Sequence, residues 1–253
     1  MDSRIIVANW KMNGSAEMVA NIVPTIVGFN VPGVRSVLCP PAVFLTLVAE
    51  TIGSAQVLLG AQNCSTEKSG AFTGEISPEM LANVGCGYVI IGHSERRQLY
   101  SETNVIVGKK LVNVMEAGLV PICCVGETGE ERSKGLTREV INRQIDSLFS
   151  ALGGYSQGTK LELLIAYEPV WAIGTGESAS PELAAETHVL IRDRVARHNV
   201  VVAETVKILY GGSVNEKNAG SFFEKEEIGG ALIGGASLKP HSFNEIRKLA
   251  AKV

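Results

Sequence analysis

The sequence predicts an α/β protein, a single (β/α)8 barrel with a parallel eight-stranded core, and three observations lead to this fold class. Strand-like and helix-like segments alternate along the whole chain, eight of each. Most of the strand-like segments are unbroken apolar runs, and strands that are buried on both faces belong to parallel sheets. Eight such units in 253 residues match the size of a closed barrel of this kind.

A doubly wound open sheet is the alternative for alternating strands and helices. That fold usually carries a glycine fingerprint, G-x-G-x-x-G, after its first strand. Residues 9–14 follow strand one here and read Asn-Trp-Lys-Met-Asn-Gly, without that pattern. No linker rich in serine and glycine divides the chain, so we expect residues 1–253 to form one domain.

In the first half of the chain, short apolar runs predict four strands, and turn residues separate each of them from the following helix. Gly14-Ser15 breaks the chain before the first helix, and Pro40-Pro41 stops the second strand. In order, the elements are strand Arg4–Ala8, helix Ala16–Phe29, strand Val37–Cys39, helix Phe44–Ile52, strand Val57–Gln62, helix Pro78–Val84, strand Tyr88–Ile91 and helix Glu102–Glu116.

In the second half, the same alternation predicts four more units. Apolar residues at helical spacing between Ile141 and Leu152 indicate one buried helix face. Ser180 followed by Pro181 is typical of a helix start. In order, the elements are strand Val120–Val125, the helix carrying Ile141–Leu152, strand Leu161–Tyr167, the helix from Pro181, strand Lys207–Tyr210, a helix from Glu216, strand Ala231–Ile233 and a helix from His241 to the C-terminus.

Composition limits the partners and the cell compartment. The net charge of −3 argues against a nucleic-acid or anionic-membrane surface. Five cysteines without C-x-x-C spacing do not form a disulfide framework, and adjacent Cys123 and Cys124 read as core residues. There is neither a signal peptide nor an apolar run near 18 residues. We therefore expect a cytoplasmic protein that binds neither nucleic acid nor membrane.

Polar and glycine residues follow five of the predicted strands, where a barrel enzyme carries its chemistry. Each has an ordinary explanation alone: a solvated lysine, a core histidine, a charged helix start or a tight turn. A convergent set around one mouth is hard to explain by packing. The set comprises Asn9 and Lys11, Gly92-His93-Ser94-Glu95-Arg96-Arg97, Glu168, Gly211-Gly212-Ser213, and Gly234-Gly235.

Elimination narrows the chemistry of this predicted mouth. His188, His198 and His241 fall within or at the edges of helices, so one imidazole remains there and a metal site is not expected. Lys207 begins its strand and therefore lies at the opposite end of the barrel. Lys11 lies beside the mouth, so covalent catalysis by Lys11 is a weaker alternative. Neither Ser94 nor Ser213 lies in a nucleophile elbow.

What remains is a carboxylate, an imidazole, a cation and backbone amides. This equipment suits proton abstraction next to a carbonyl in a small phosphorylated substrate, without a cofactor. Glycines 174, 212, 234 and 235 would let backbone N–H groups approach a phosphate. A short helix over Ala236-Ser237-Leu238 would direct its N-terminus at the same anion.

The stretch from Ile165 to Gly176 combines a strand, an acid and an apolar loop. Glu168 ends the strand, Pro169 follows, and Val170–Ile173 is too apolar for an ordinary solvated loop. A strand leading into a well-packed turn is the alternative. We favour a lid that closes over a ligand. It consists of Pro169, Val170, Trp171, Ala172, Ile173, Gly174, Thr175 and Gly176.

These motifs resemble the triosephosphate isomerase family in order and spacing over essentially the whole chain. They are Asn9-Trp-Lys-Met-Asn13, Gly92-His-Ser-Glu-Arg-Arg97, Ala166-Tyr-Glu-Pro-Val-Trp-Ala-Ile-Gly-Thr-Gly176, Tyr210-Gly-Gly-Ser-Val214 and Gly234-Gly235. The resemblance implies a TIM barrel that interconverts dihydroxyacetone phosphate and D-glyceraldehyde 3-phosphate through an enediol or enediolate, in glycolysis and gluconeogenesis.

The resemblance also implies residue roles. Glu168 is the catalytic base, and His93 is a neutral electrophile whose pKa the next helix lowers. Lys11 supplies positive charge and pairs with a supporting residue, Glu95. Substrate binding falls to Asn9, Lys11, Gly174, Ser213, Gly234 and Gly235. One departure is Gly176-Glu177-Ser178-Ala179 at the second lid hinge, where the family often has Gly-Lys-Thr-Ala.

The loop over residues 62–75 is long for a barrel, and long loops are often functional. A mobile excursion is the alternative. The resemblance implies a homodimer in which this loop inserts into the neighbouring subunit, with Thr73 reaching toward the partner's site. A second hypothesis for the whole chain is a phosphate-binding barrel that acts as a sensor without turnover. The joint presence of Lys11, His93 and Glu168 favours the enzyme.

Overall fold

The strands form a closed parallel barrel, in which each strand pairs with the next and β8 pairs back with β1. The computed structural model describes residues 4–53, 56–153, 161–173 and 178–252. Within these residues the barrel consists of β1 (Arg4–Asn9), β2 (Val34–Cys39), β3 (Val57–Ala61), β4 (Tyr88–Ile91), β5 (Val120–Val125), β6 (Leu164–Tyr167), β7 (Lys207–Tyr210) and β8 (Gly230–Ile233). The predicted fold class is confirmed.

Helices surround the barrel, and each strand-to-strand crossover carries at least one of them in the described part of the chain. They are α1 (Ala16–Val27), α2 (Leu45–Ile52), α3 (Pro78–Asn83), α4 (Ser94–Leu99), α5 (Asn104–Glu116), α6 (Gly129–Ser133), α7 (Thr137–Leu152), α8 (Pro181–His198), α9 (Val200–Thr205), α10 (Ala219–Phe223) and α11 (Pro240–Ala251). The predicted element order did not include α4, α6 and α9, which are helices of one or two turns beside longer ones.

Five predicted boundaries were wrong by two or three residues. Strand β2 begins at Val34 rather than Val37, and α1 ends at Val27 rather than Phe29. The helix expected from Glu216 begins at Ala219, because the Asn215 side chain accepts the Lys217 and Asn218 N–H groups and forms a turn first. The helix expected from Glu102 begins at Asn104, where Thr103 caps the Ile106 N–H. Ladder pairing of β6 starts at Leu164, three residues later than predicted.

Both faces of the strands are buried, as the apolar runs predicted. Residues that point inward fill the barrel, and their neighbours pack against the helices in a second, larger cluster. In β6, for example, Leu164 and Ala166 lie in the inner cluster, while Ile165 and Tyr167 lie in the outer one. A continuous core around all strands makes the barrel rigid, so the strand ends hold their side chains in fixed positions.

All five cysteines are buried with free thiols. Burial raises the pKa of Cys123 and of Cys86 to about 12, so these thiols stay protonated near neutral pH. The prediction that Cys123 and Cys124 are core residues is confirmed. Among the described residues, no helix combines the length and the apolarity that crossing a membrane requires.

Candidate active site

Glu168 follows directly after β6 and is nearly inaccessible, with 2% of its surface exposed. One carboxylate oxygen, Oε2, accepts the backbone N–H of Ser94 at 2.7 Å, and Oε1 lies 2.9 Å from Nε2 of His93. Burial, the largest single influence, raises the pKa of Glu168, but His93 and the Ser94 amide together outweigh it and the net pKa is lowered. The buried acid is therefore an ionised carboxylate near neutral pH.

His93 caps the N-terminus of α4 and presents a defined tautomer to Glu168. Its Nδ1 accepts the Glu95 backbone N–H at 3.3 Å, so a neutral ring carries its proton on Nε2 and donates it to Glu168. Burial lowers the pKa of His93, whereas the carboxylates of Glu168 and Glu95 raise it, and the net shift is upward. The family resemblance implies a lowered pKa, whereas in this arrangement the two carboxylates that face the ring shift it upward.

Lys11 reaches the same mouth from a strained backbone position. Its φ of 53° lies in the left-handed region, which is uncommon for a residue with a side chain. Two side chains fix this conformation: Asn9 Oδ1 accepts the Lys11 N–H at 3.0 Å, and Gln62 Nε2 donates to the Lys11 carbonyl at 2.9 Å. The ammonium group forms a 2.5 Å ion pair with Glu95. Strain held by so many contacts is typical of functional positions.

Glycines form much of the remaining wall, where an added side chain would clash with Glu168 at Gly211 and contact Lys11 at Gly234. A Cβ on Gly211 would lie 2.9 Å from Glu168 Cγ, and one on Gly234 would lie 3.4 Å from Lys11 Cε. Gly234 leads into a 3₁₀ turn, Gly235–Leu238, as the short helix prediction required. Glycine backbone therefore forms part of the cavity wall, beside both Glu168 and Lys11.

The described part of the predicted lid packs over β5 and β7. Val170–Ala172 forms a 3₁₀ turn, and Trp171 Nε1 donates to the buried Glu127 at 3.1 Å. The Ser213 hydroxyl donates to the Ala172 carbonyl at 2.8 Å. On the far side, the Ala179 N–H donates to the Tyr210 hydroxyl at 3.0 Å. Gly174, Thr175 and Gly176 lie outside the described residues, as does Glu177.

One cavity of about 470 Å³ joins most of the predicted site. Asn9, Lys11, His93, Glu168, Ser213, Gly234 and Gly235 all line it, together with Gly211 and Gly212. Glu95 touches the site through Lys11 and lies in the neighbouring cavity. Thr73 is exposed in its loop and does not line the cavity in this single chain.

Sequence reasoning missed several residues around the base. The Ser94 N–H was not predicted as a partner of Glu168, because backbone donors leave no mark in the sequence. Glu127 lies just beyond β5, and its position as a polar residue after a strand end is the signal that identifies it in the sequence. Gln144 is a polar residue within the buried stripe of α7, and a pattern of apolar residues alone does not mark it. Among the described residues, no three His, Cys, Asp or Glu side chains are grouped as metal ligands would be.

The closed barrel, and the carboxylate, imidazole and ammonium group gathered at the carboxyl ends of its strands, define the class of (β/α)8-barrel enzymes. Comparisons with known proteins make this more specific. The family model described as triosephosphate isomerase matches residues 4–250. The chain belongs to the triosephosphate isomerase family and is an isomerase of that class.

Curated relatives cover almost the full chain. The protein named triosephosphate isomerase from Proteus mirabilis (strain HI4320) is 46% identical over 250 residues, which span 98% of this chain and 96% of the relative. The one from Sodalis glossinidius (strain morsitans) is 44% identical over 250 residues, which span 98% of this chain and 97% of the relative. The one from Herminiimonas arsenicoxydans is 44% identical over 251 residues, spanning 99% of this chain and 100% of the relative.

Proposed function

We propose that this chain interconverts dihydroxyacetone phosphate and D-glyceraldehyde 3-phosphate, with Glu168 as the base. One observation carries the proposal. An ionised, buried carboxylate lies 2.9 Å from Nε2 of the His93 imidazole, in the same cavity as an ammonium group and a glycine-lined wall. Family membership supports the substrate class, since the relatives are named for a triose phosphate.

In the proposed reaction, Glu168 removes a proton from the carbon beside the substrate carbonyl. The C–H electrons form a carbon–carbon double bond, and the carbonyl oxygen becomes an enediolate oxygen. Protons then redistribute between the two oxygens, and Glu168 returns its proton to the neighbouring carbon. General-base catalysis supplies roughly 10²- to 10⁴-fold, so stabilisation of the enediolate must supply much of the rest.

His93 and Lys11 would provide that stabilisation. The Nε2–H that now faces Glu168 would turn to the enediolate oxygen, and the Lys11 ammonium group would supply a fixed positive charge. Single preorganised donors of this kind contribute on the order of 10²- to 10³-fold. Once Glu168 turns to the substrate, the contact that raises the His93 pKa most is lost. Burial and the Glu95 amide at Nδ1 then favour the neutral ring.

The phosphate would bind to backbone amides at Gly174, Ser213, Gly234 and Gly235. Amides provide a positive field without net charge, which suits a chain of net charge −3. Pro169–Gly176 would close as a lid and exclude water from the enediolate. Asn9 would position the substrate through its contact with the Lys11 backbone.

We propose the following cellular setting as well. The chain is one (β/α)8 domain over residues 1–253, acts in the cytoplasm in glycolysis and gluconeogenesis, and requires neither a cofactor nor a metal. It forms a homodimer through the loop over residues 62–75, with Thr73 next to the partner's site. Apolar side chains exposed beside the mouth, such as Met12 at 97% and Leu99 at 72%, support a partner surface.

A coupled isomerase assay on the purified chain tests this proposal. We expect turnover of glyceraldehyde 3-phosphate that survives exhaustive treatment with EDTA. Glu168→Gln should lower kcat by about 10³-fold or more while inorganic phosphate binds almost as in the wild type. Activity that EDTA abolishes and added metal restores would contradict the metal-free mechanism. A wild-type chain that binds phosphate but does not turn over the substrate would favour the alternative hypothesis, a phosphate-binding barrel that acts as a sensor.

A further inference from the structure

The base of the proposed site lies on a backbone platform that another helix holds in place. Residues Val125, Gly126 and Glu127 run beside residues 168–170. The Glu168 N–H donates to the Val125 carbonyl at 2.7 Å, and the Val170 N–H donates to the Glu127 carbonyl at 3.1 Å. Gly126 lies between these two contacts. The position of Gly126 therefore constrains the position of the Glu168 backbone.

The contact at Gly126 is too close for any side chain. A Cβ at this residue would lie 1.8 Å from the carbonyl oxygen and 2.6 Å from the carbonyl carbon of Glu168. Two peptide backbones thus pack directly against each other. A shift of Gly126 by an ångström would be transmitted to Glu168 without a flexible side chain in between to absorb it.

Gln144 on α7 holds this glycine with both ends of its carboxamide. The Gly126 N–H donates to Oε1 at 2.8 Å, and Nε2 donates back to the Gly126 carbonyl at 3.0 Å. The side chain is 8% exposed and sits among Val140, Ile141, Ile145 and Leu148 on the buried face of α7. A buried carboxamide with two well-formed bonds has one favoured placement, because any other leaves polar groups unpaired.

The platform also supports the lid. The buried carboxylate of Glu127 accepts hydrogen bonds from the Tyr167 hydroxyl at 3.1 Å and from Trp171 Nε1 at 3.1 Å. Tyr167 precedes the base and Trp171 belongs to the lid. The segment that Gln144 fixes therefore contacts the chain on both sides of Glu168.

We infer that Gln144 is a positioning residue, which sets the place of the Glu168 carboxylate by clamping the Gly126 peptide. Gln144 does not line the cavity and touches no reacting atom. The inference rests on the proposed function, because it treats Glu168 as the base. A base displaced by about 1 Å costs on the order of 10²-fold in rate.

Gln144→Leu tests the clamp, since it removes both hydrogen bonds and keeps most of the volume. We expect kcat to fall by roughly 10- to 100-fold, while the dissociation constant for inorganic phosphate stays within about twofold, since Gln144 lies outside the phosphate wall. Val140→Ala, one turn earlier on the same buried face, is the matched control. It loosens the packing of α7 without touching Gly126, and its kcat should stay within about twofold of the wild type.

A second readout does not depend on turnover. His93 Nε2 lies 2.9 Å from Glu168, so the His93 pKa, measured by NMR of the imidazole, reports the place of the carboxylate. We expect this pKa to fall in Gln144→Leu and to stay unchanged in Val140→Ala. If Gln144→Leu does not fold, Gln144→Met serves instead, because its unbranched side chain keeps the length while it removes both hydrogen bonds to Gly126, and it should shift both readouts in the same direction.

Two outcomes overturn the inference. One is a folded Gln144 variant with wild-type kcat and wild-type His93 pKa. The other is a Val140→Ala control that loses kcat as much as the Gln144 variant does, since general loosening would then explain both. Failure of the proposed function looks different: the wild-type chain itself would lack isomerase activity, while the NMR titration would still show whether Gln144 places the carboxylate.

Discussion

At the scale of single residues, the site depends as much on missing side chains as on reactive ones. Glu168, His93 and Lys11 bring the charges, while Gly126 and Gly211 leave room for the backbone and the side chain of Glu168. At Gly211 the crowding comes from the base itself, and the Gly211 N–H also donates to the Tyr167 carbonyl at 2.7 Å. A substitution at Gly211 would therefore displace Glu168 and test how strictly catalysis depends on the position of this carboxylate.

We predict that Gly211→Ala lowers kcat by about 10²-fold, because a Cβ would lie 2.9 Å from Glu168 Cγ and 3.1 Å from the Tyr167 carbonyl oxygen. Steady-state kinetics of the isomerase reaction measures the effect. Gly220→Ala on α10 is the control, since its nearest new contact is Leu249 Cδ2 at 3.9 Å. Equal activity of the two variants would show that Gly211 does not constrain the base.

At the scale of elements, α8 carries a titratable group that faces the core rather than the mouth. His188 is fully buried, its Nδ1–H donates to the Glu227 carbonyl at 3.1 Å, and its ring meets Tyr167 edge-on at 6.1 Å. Nε2 has no hydrogen-bond partner among the described residues. Burial, and to a lesser degree Arg192, lowers the pKa of His188 to about 4, although the Glu227 carbonyl raises it.

This histidine should make the fold sensitive to acid. The unfolded chain binds a proton at His188 near pH 6.5, and the folded chain does so only near pH 4, so stability falls as the pH drops between these values. We expect a loss of about 3 kcal/mol from this group. Urea unfolding at fixed protein concentration measures it, and His188→Asn should lack this part of the slope.

His198→Asn, at the end of α8, is the control for the same substitution at a partly exposed site. The pKa values of Glu168 and Asp146 are lowered in the folded chain, so each carboxylate stabilises the fold while it is charged. That stabilisation is lost only as the pH falls below the ordinary carboxyl range, which is lower than the range in which His188 acts. Parallel pH slopes for the wild type and His188→Asn would contradict the prediction.

At the scale of the whole molecule, one side of the mouth is apolar and open. A second cavity of about 700 Å³ adjoins the first, and Met12, Leu99 and Tyr100 line it beside Lys11, His93 and Glu95. The loop over residues 62–75 is closed at its base by the Ser65 N–H donating to the Ile76 carbonyl at 2.8 Å, which makes it a protruding unit. Such a loop and such a cavity fit the proposed homodimer.

We predict that Thr73→Arg weakens the dimer, because a long charged side chain at the loop tip would be buried in the partner. Sedimentation velocity should show dissociation at a higher protein concentration than for the wild type, with a parallel fall in kcat. Thr205→Arg makes the same change at an exposed position at the end of α9, on the far side of the barrel, and should change neither. A wild-type chain that sediments as a monomer at all concentrations would contradict the homodimer.

The sequence by itself determined the barrel and the residues at its mouth. Apolar runs and helical spacing are local patterns, and a closed parallel barrel necessarily brings all carboxyl strand ends to one rim. Glu168, His93 and Lys11 could therefore be placed together from strand order alone. The structure brings them into one cavity, as predicted.

Only the tertiary structure decided how these residues act on one another. The bond from Ser94 to Glu168, the upward shift of the His93 pKa and the Gln144 clamp depend on distances between residues far apart in sequence, 74 positions in the case of Ser94 and Glu168. Electrostatic shifts vary steeply with distance and burial, and no local pattern encodes either quantity. The identity of the reactive groups could thus be predicted from the sequence. Their pKa shifts and the residues that hold them in place could be determined only from the packed barrel.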